Sequence, residues 1–306
     1  MKKLIKQFLE YLEVDKGLAK LTIRNYRFYL ERFAAFAAKR NITSTSQITS
    51  DLIHQFRLHL NHLDDGTGET LKKNTQNYHL IAIRGFLKYL VKTDVKSLEP
   101  EKIELAKQEP RQVAFLEGVD LERILNAPLT AEGDELARRR DKAILELFFS
   151  TGLRVSELAK LKIEEINLKK DEFTVRGKGK KVRLVFLSGK AREHLKKYLA
   201  LRLDVNPYIF INFDRARKTV DEPITPRSIE RLVIKYAKLA GIMKSVTPHT
   251  LRHSYATDLL LNGADIRSVQ AMLGHASITT TQVYTHITDQ QLRHVHHDFH
   301  DKKAKR

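Results

Sequence analysis

The chain has no cysteine among its 306 residues. That absence excludes disulfides, thiolate zinc sites and a cysteine nucleophile, and it fits a cytoplasmic protein. Acidic residues are also scarce, 37 Asp and Glu against 55 Lys and Arg, which leaves a formal charge of +18 and a pI of about 9.8. So large an excess points to a polyanionic partner, nucleic acid before membrane. Membrane binding would want the bases on one amphipathic helix or beside an anchor, and neither occurs. No apolar run approaches membrane-spanning length. The opening MKKLIKQFLEYLEV mixes lysines and apolar residues as a signal peptide does, but Gln7, Glu10 and Glu13 interrupt it at helical spacing. It is therefore expected to be an amphipathic helix of the mature protein.

What is present fits two globular domains, with 42% hydrophobic and 30% charged residues. Helical periodicity runs through Ile5, Phe8, Leu9 and Leu12, then through Ile23, Tyr26, Leu30, Phe33 and Ala37. Ser50 is expected to cap a third helix. A fourth, about 71–92, carries Tyr78, Ile81, Phe86, Leu87 and Leu90, after the turn-rich DDGTGE. Four helices with short connections predict a small bundle over residues 1–96. Lys20, Arg24, Arg27, Lys72, Lys73, Arg84 and Lys88 are among its bases; singly each reads as solvated, and as a set they read as a DNA-gripping surface. Pro100 and Pro110 punctuate a charged stretch of weak periodicity, so 97–112 is expected to be a linker and 113–306 a second domain.

In that second domain ARRRDKAILELFFS predicts a helix closing on Thr151-Gly152, and Arg154 follows just as VSELAKL begins. A sharp turn between two largely apolar helices would project Arg154 into a cleft. EFTVR and VRLVFL alternate as strands around GKGKK, which predicts a β-hairpin with Lys178 near its tip. Lys178 has glycine on both sides, which permits close approach to a ligand. Lys180, Lys181 and Arg183 read equally as solvated cations or non-specific phosphate contacts and as chemical groups. PYIFINF is a short apolar stretch of undecided class.

Residues 247–284 hold the densest chemistry. Thr247-Pro248 starts a helix, which places His249 and Arg252 on one face of its first turns, beside an N-terminus that favours an anion. Breaks follow at Asn262-Gly263 and at Gly274, with His275 directly after, and a further turn carries Tyr284. Arginine, histidine and tyrosine in these short segments suit phosphoryl transfer without a metal. His249/His253 and His296/His300 have a metal-binding i, i+4 spacing, but neither pair has the HExxH glutamate, so no metal is expected. Leu292, Val295 and Phe299 form an apolar stripe on a last helix within 288–306.

TGLRVSEL, GKGKK, HTLRHSYAT, LGHAS and QVYTHI, in this order and at these intervals, resemble the Xer and phage-integrase family of tyrosine site-specific recombinases. The similarity extends to EYLEVDKGLAKLTIRNYRFYLERF, which is similar to the family's core-binding domain, and to QLRHVHHDFH, which is similar to its C-terminal helix. The DDGTGE loop is longer than the family pattern, and QEPRQVAFLE is a loose version of its linker segment. The resemblance implies a mainly α protein with a small β-sheet: a four-helix SAM-like core-binding bundle followed by an α+β catalytic domain.

It also implies roles. Tyr284 would be the nucleophile that forms a 3′-phosphotyrosyl link, and Arg154, Arg252 and His275 would hold the phosphate oxygens. His249 would accept the proton, Lys178 would give one to the departing 5′-oxygen, and Glu157 would support Arg154. No cofactor is implied. The implied partner is double-stranded DNA at a dif-like palindromic site, held in a clamp formed by the two domains. Four protomers, linked by cyclic exchange of the C-terminal helix, would act through a Holliday junction, with a DNA translocase as a further implied partner. Chromosome dimer resolution is the implied task. The alternatives are a mobile-element integrase, a type IB topoisomerase-like enzyme, a catalytically silent DNA-binding regulator, and a metal-dependent nuclease using the histidines.

Overall fold

The structure, a computed structural model, describes residues 1–64, 68–107, 114–177, 182–212 and 222–274. The chain divides into two compact units, Met1–Pro110 and Arg111–Arg306. Among the described residues it is mostly helical with one small sheet, as expected. Among the described residues no helix is long and apolar enough to cross a membrane.

The first unit is built from α1 (Lys2–Val14), α2 (Lys20–Ala38), α3 (Ser50–Asn61) and α4 (Lys73–Lys92). Ile5, Phe8, Leu9 and Leu12 of α1 and Ile23, Leu30, Phe33 and Ala37 of α2 are buried in its core. Burial of such stripes is the main stabilising term for helices of this length. Two local expectations are corrected. Thr49 rather than Ser50 caps α3, its hydroxyl accepting the amide of Leu52 at 3.2 Å. Tyr78 and Ile81 do not face the core of α4; they are exposed, and Leu80, Ile83, Phe86, Leu87 and Leu90 form its inner face.

The reason is a polar pair that takes core positions at the start of α4. Asn77 is buried because its amide group makes two hydrogen bonds with the backbone of Ala106, at 2.9 and 3.1 Å. His79 is buried with its Nδ1 2.8 Å from the carbonyl of Thr75. Satisfied in this way, polar groups can occupy an interior stripe. The same contacts draw residues 95–106 onto the bundle, where Ile103 joins the core and Val95 and Leu98 pack against it.

The second unit holds α5 (Gly118–Thr130), α6 (Glu135–Thr151), α7 (Val155–Ala159), β1 (Glu172–Arg176), β2 (Val182–Phe186), α8 (Gly189–Ala200), α9 (Pro226–Leu239), α10 (Pro248–Leu261) and α11 (Ile266–Leu273). Strands β1 and β2 are antiparallel, with Glu172 opposite Phe186 and Arg176 opposite Val182. Phe173, Val175 and Val185 point into the core. The described part of PYIFINF, 207–212, makes isolated bridges, Tyr208 opposite Lys162 and Ile211 opposite Pro223; the amide of Ile163 donates to Pro207 and that of Ile209 to Leu161, at 2.9 and 2.8 Å.

Helix α6 is central, and its charges are buried in pairs. Lys142 bonds Glu146 at 2.6 Å and Asn126 at 2.9 Å, while Asp141 receives Arg140 at 2.7 Å and the Tyr236 hydroxyl at 2.8 Å. Each charge therefore enters the interior with partners that offset much of its lost hydration. A smaller cluster of Tyr255, Ala256, Leu260, Val269 and Leu273 fastens α11 to α10.

Candidate active site

The end of α6 sets the geometry. Gly152 closes that helix in the left-handed conformation (φ 57°), and a Cβ there would stand 2.5 Å from the Tyr255 ring and 3.0 Å from Leu273. Only glycine permits both the turn and the approach of α10 and α11. Leu153 is then buried, and Arg154 emerges at the start of α7.

Arg154 is fixed rather than free. Its Nη1 donates to Oε1 of Glu157 at 2.9 Å, its backbone amide donates to Oε2 at 2.8 Å, and its Nη2 donates to the carbonyl of Gly274 at 3.0 Å. Arg252 comes from the second turn of α10, which Thr247 caps through the amide of Thr250 at 3.2 Å. It is buried, and its Nη1 and Nη2 donate to the carbonyls of Gly152 and Leu273. Those carbonyls lie at the C-terminal ends of α6 and α11, where the helix dipole favours a cation. Both guanidiniums thus close on consecutive carbonyls at the end of α11.

His249 lies on the first turn of α10 and reaches solvent. Lost hydration and the nearby charges of Arg252 and Arg154 lower its pKa from the ordinary imidazole value, with Glu230 opposing. Both effects favour the neutral imidazole. His253, half-buried, is lowered further, to about 4, by lost hydration and then by His249 and Arg252.

Glu157, whose side chain is 8% exposed, bonds more than Arg154. Burial alone would raise its pKa, but hydrogen bonds from Arg183 and from the Arg154 backbone amide hold it at about 2. Of the readings open for Arg183, the solvated cation and the surface phosphate contact are set aside, since its side chain is 9% exposed and forks onto Glu157 at 3.0 and 2.7 Å. The alternation of β2 carries the signal that would have found it. Arg183 shares the inward face with Val185, and an arginine at a core-facing strand position needs a carboxylate.

Lys178, Lys180, Lys181, His275 and Tyr284 lie outside the described residues, as do the second histidine pair and the expected last helix. Their described neighbours Gly177 and Gly274 both belong to this cluster. A Cβ on either would meet Arg183, at 3.3 and 2.9 Å. Among the described residues no group of three or more His, Cys, Asp or Glu side chains comes together.

In the first unit Lys20, Arg24 and Arg27 are exposed on α2, and Lys72 and Lys73 are exposed at the start of α4. Arg84 differs, being half-buried on α4. Tyr78 of α4 stacks on Tyr29 of α2, with centroids 6.4 Å apart and planes at 15°.

Residues 114–291 match the phage integrase family, and residues 5–94 match the phage integrase N-terminal SAM-like domain. Tyrosine recombinase XerC of Thermodesulfovibrio yellowstonii is 37% identical over 97% of this chain and 95% of its own length. Tyrosine recombinase XerD of Halalkalibacterium halodurans is 34% identical over 97% of each. Among solved structures, XerA recombinase is 31% identical over 96% of this chain and 97% of its own, with a TM-score of 0.52. A XerH site-specific recombinase bound to a palindromic difH substrate, in a post-cleavage complex, aligns over 96% of this chain and 84% of its own at a TM-score of 0.73; at 24% identity that likeness speaks to the fold.

Proposed function

Because the chain belongs to the phage integrase family and is a tyrosine recombinase of the Xer type, we propose that it cuts and rejoins DNA at a dif-like palindromic site in chromosome dimer resolution. In this reading the Tyr284 phenolate attacks the scissile phosphorus. The bond to the 5′-oxygen breaks, and a 3′-phosphotyrosyl ester and a free 5′-hydroxyl result. The bond energy is conserved in the ester, so strand rejoining needs neither ATP nor a metal.

Arg154 and Arg252 hold the non-bridging oxygens and offset the charge that builds there in the transition state. His275 adds a donor to the same oxygens. Neutral His249 takes the tyrosine proton, and Lys178 delivers one to the 5′-oxygen. Lys20, Arg24, Arg27, Lys72, Lys73, Arg84, Lys180 and Lys181 contact the DNA and supply most of the affinity. Four protomers, joined by cyclic exchange of the C-terminal helix, carry two duplexes through a Holliday junction in the cytoplasm, and a DNA translocase licenses the exchange.

The observation that most supports this reading is the convergence of Arg154 and Arg252 on the carbonyls of Gly274 and Leu273. Two guanidiniums braced by backbone are preorganised for an anion and lose little freedom when one binds. The test is covalent trapping on nicked palindromic duplexes in EDTA. The wild type should give a protein–DNA adduct and Tyr284→Phe none, with DNA binding retained; an adduct from Tyr284→Phe would remove the nucleophile assignment.

A further inference from the structure

Arg183 takes no part in the chemistry above, yet it is a heavily fastened cation beside it. Its fork meets both oxygens of Glu157, at 3.0 and 2.7 Å, and its Nε donates to the carbonyl of Met272 at 3.2 Å. The backbone closes around it at Gly177 and Gly274, where an added Cβ would come within 3.3 Å of Nη1 and 2.9 Å of Cδ. One side chain therefore joins β2, α7 and the end of α11, three segments far apart in sequence.

The charges of the cluster give this arrangement a purpose. Glu157 also holds Arg154, at 2.9 Å through Nη1. If these two were alone, the carboxylate would cancel the guanidinium and leave a neutral pair, a poor ligand for phosphate. A second guanidinium on the same carboxylate leaves one net positive charge, and Arg154, the more exposed of the two at 30% against 9%, is the one that can present it. Glu157 can then orient Arg154 without silencing it.

We propose that Arg183 is a positioning residue: it neutralises and locks Glu157, so that Arg154 keeps both its orientation and its charge for the scissile phosphate, and it ties that assembly to the end of α11. The proposal rests on the recombinase reading. Lysine in place of Arg183 keeps the charge but not the fork, and cannot hold two carboxylate oxygens and the Met272 carbonyl together.

The test is single-turnover adduct formation on a panel of nicked palindromic duplexes, with DNA affinity and Tm measured in parallel. Arg183→Lys should slow adduct formation on the order of tenfold to a hundredfold while affinity stays within about twofold. In an Arg154→Ala background the same change should cost less than about twofold, because the group it positions is gone. A wild-type rate in Arg183→Lys, or an equal loss in both backgrounds, would overturn the proposal and leave the recombinase reading intact. No adduct from the wild type on any duplex would sink that reading, and the proposal with it.

Discussion

The two units use the same residue types in opposite ways. In the N-terminal bundle Lys20, Arg24, Arg27, Lys72 and Lys73 stand exposed on helix surfaces. In the C-terminal unit Arg252, Arg183 and Arg154 are 4% exposed as a residue and 9% and 30% exposed as side chains, and each is braced by carbonyls or by Glu157. An exposed cation on a long flexible stem can meet phosphates in many registers and contributes affinity. A braced guanidinium meets one phosphate in one geometry and contributes rate. The difference lies not in how much positive charge each unit has but in how much freedom each charge has lost before DNA arrives.

The sharpest way to break this comparison is Arg252→Ala. It should slow adduct formation by about 10²–10³, the usual loss for one preorganised transition-state donor, and change DNA affinity only a few fold. Equal losses of rate and affinity, by single-turnover kinetics beside gel shift, would make Arg252 one more phosphate anchor.

Next in size is acid stability. Glu157 is held at about 2 against an ordinary 4.5. A depressed carboxyl stabilises the fold fully above its unfolded pKa and loses that contribution as pH falls toward the folded one. The shift corresponds to stabilisation on the order of 3 kcal/mol. Glu157→Gln should therefore flatten the fall in Tm of the second unit between about pH 4.5 and pH 2; an unchanged acid profile would mean the carboxylate is not held as its contacts indicate.

Smaller still is the effect of single bases on the bundle. Arg24→Ala or Lys73→Ala should weaken binding similarly on all sequences and reduce the slope of log affinity against log salt by about 1, leaving the adduct rate at saturating protein unchanged. The smallest belongs to the exposed Lys6–Glu10 pair, 3.8 Å apart. Glu10→Gln should shift stability by less than about 0.5 kcal/mol.

The two units also differ in how legible they are. Periodicity exposed the buried stripes of α1 and α2 because those helices bury one face and wet the other. It failed at Tyr78 and Ile81, where Asn77 and His79 hold interior positions through hydrogen bonds that no hydropathy pattern records. In the second unit, motif spacing pointed to Arg154, His249 and Arg252 as candidates. It could not show that Lys142, Glu146 and Asp141 turn inward in partnered groups, since pairing depends on which helices meet. The tie between Arg183 and Glu157 was not legible, because the two lie 26 residues apart on different elements. Strand alternation alone would have flagged Arg183 itself.

The most direct test is to digest a trapped protein–DNA adduct and identify the DNA-linked peptide by mass spectrometry. A phosphotyrosyl link at Tyr284, formed in EDTA, is the predicted result. A link at any other residue, or cleavage without a link, would contradict the account.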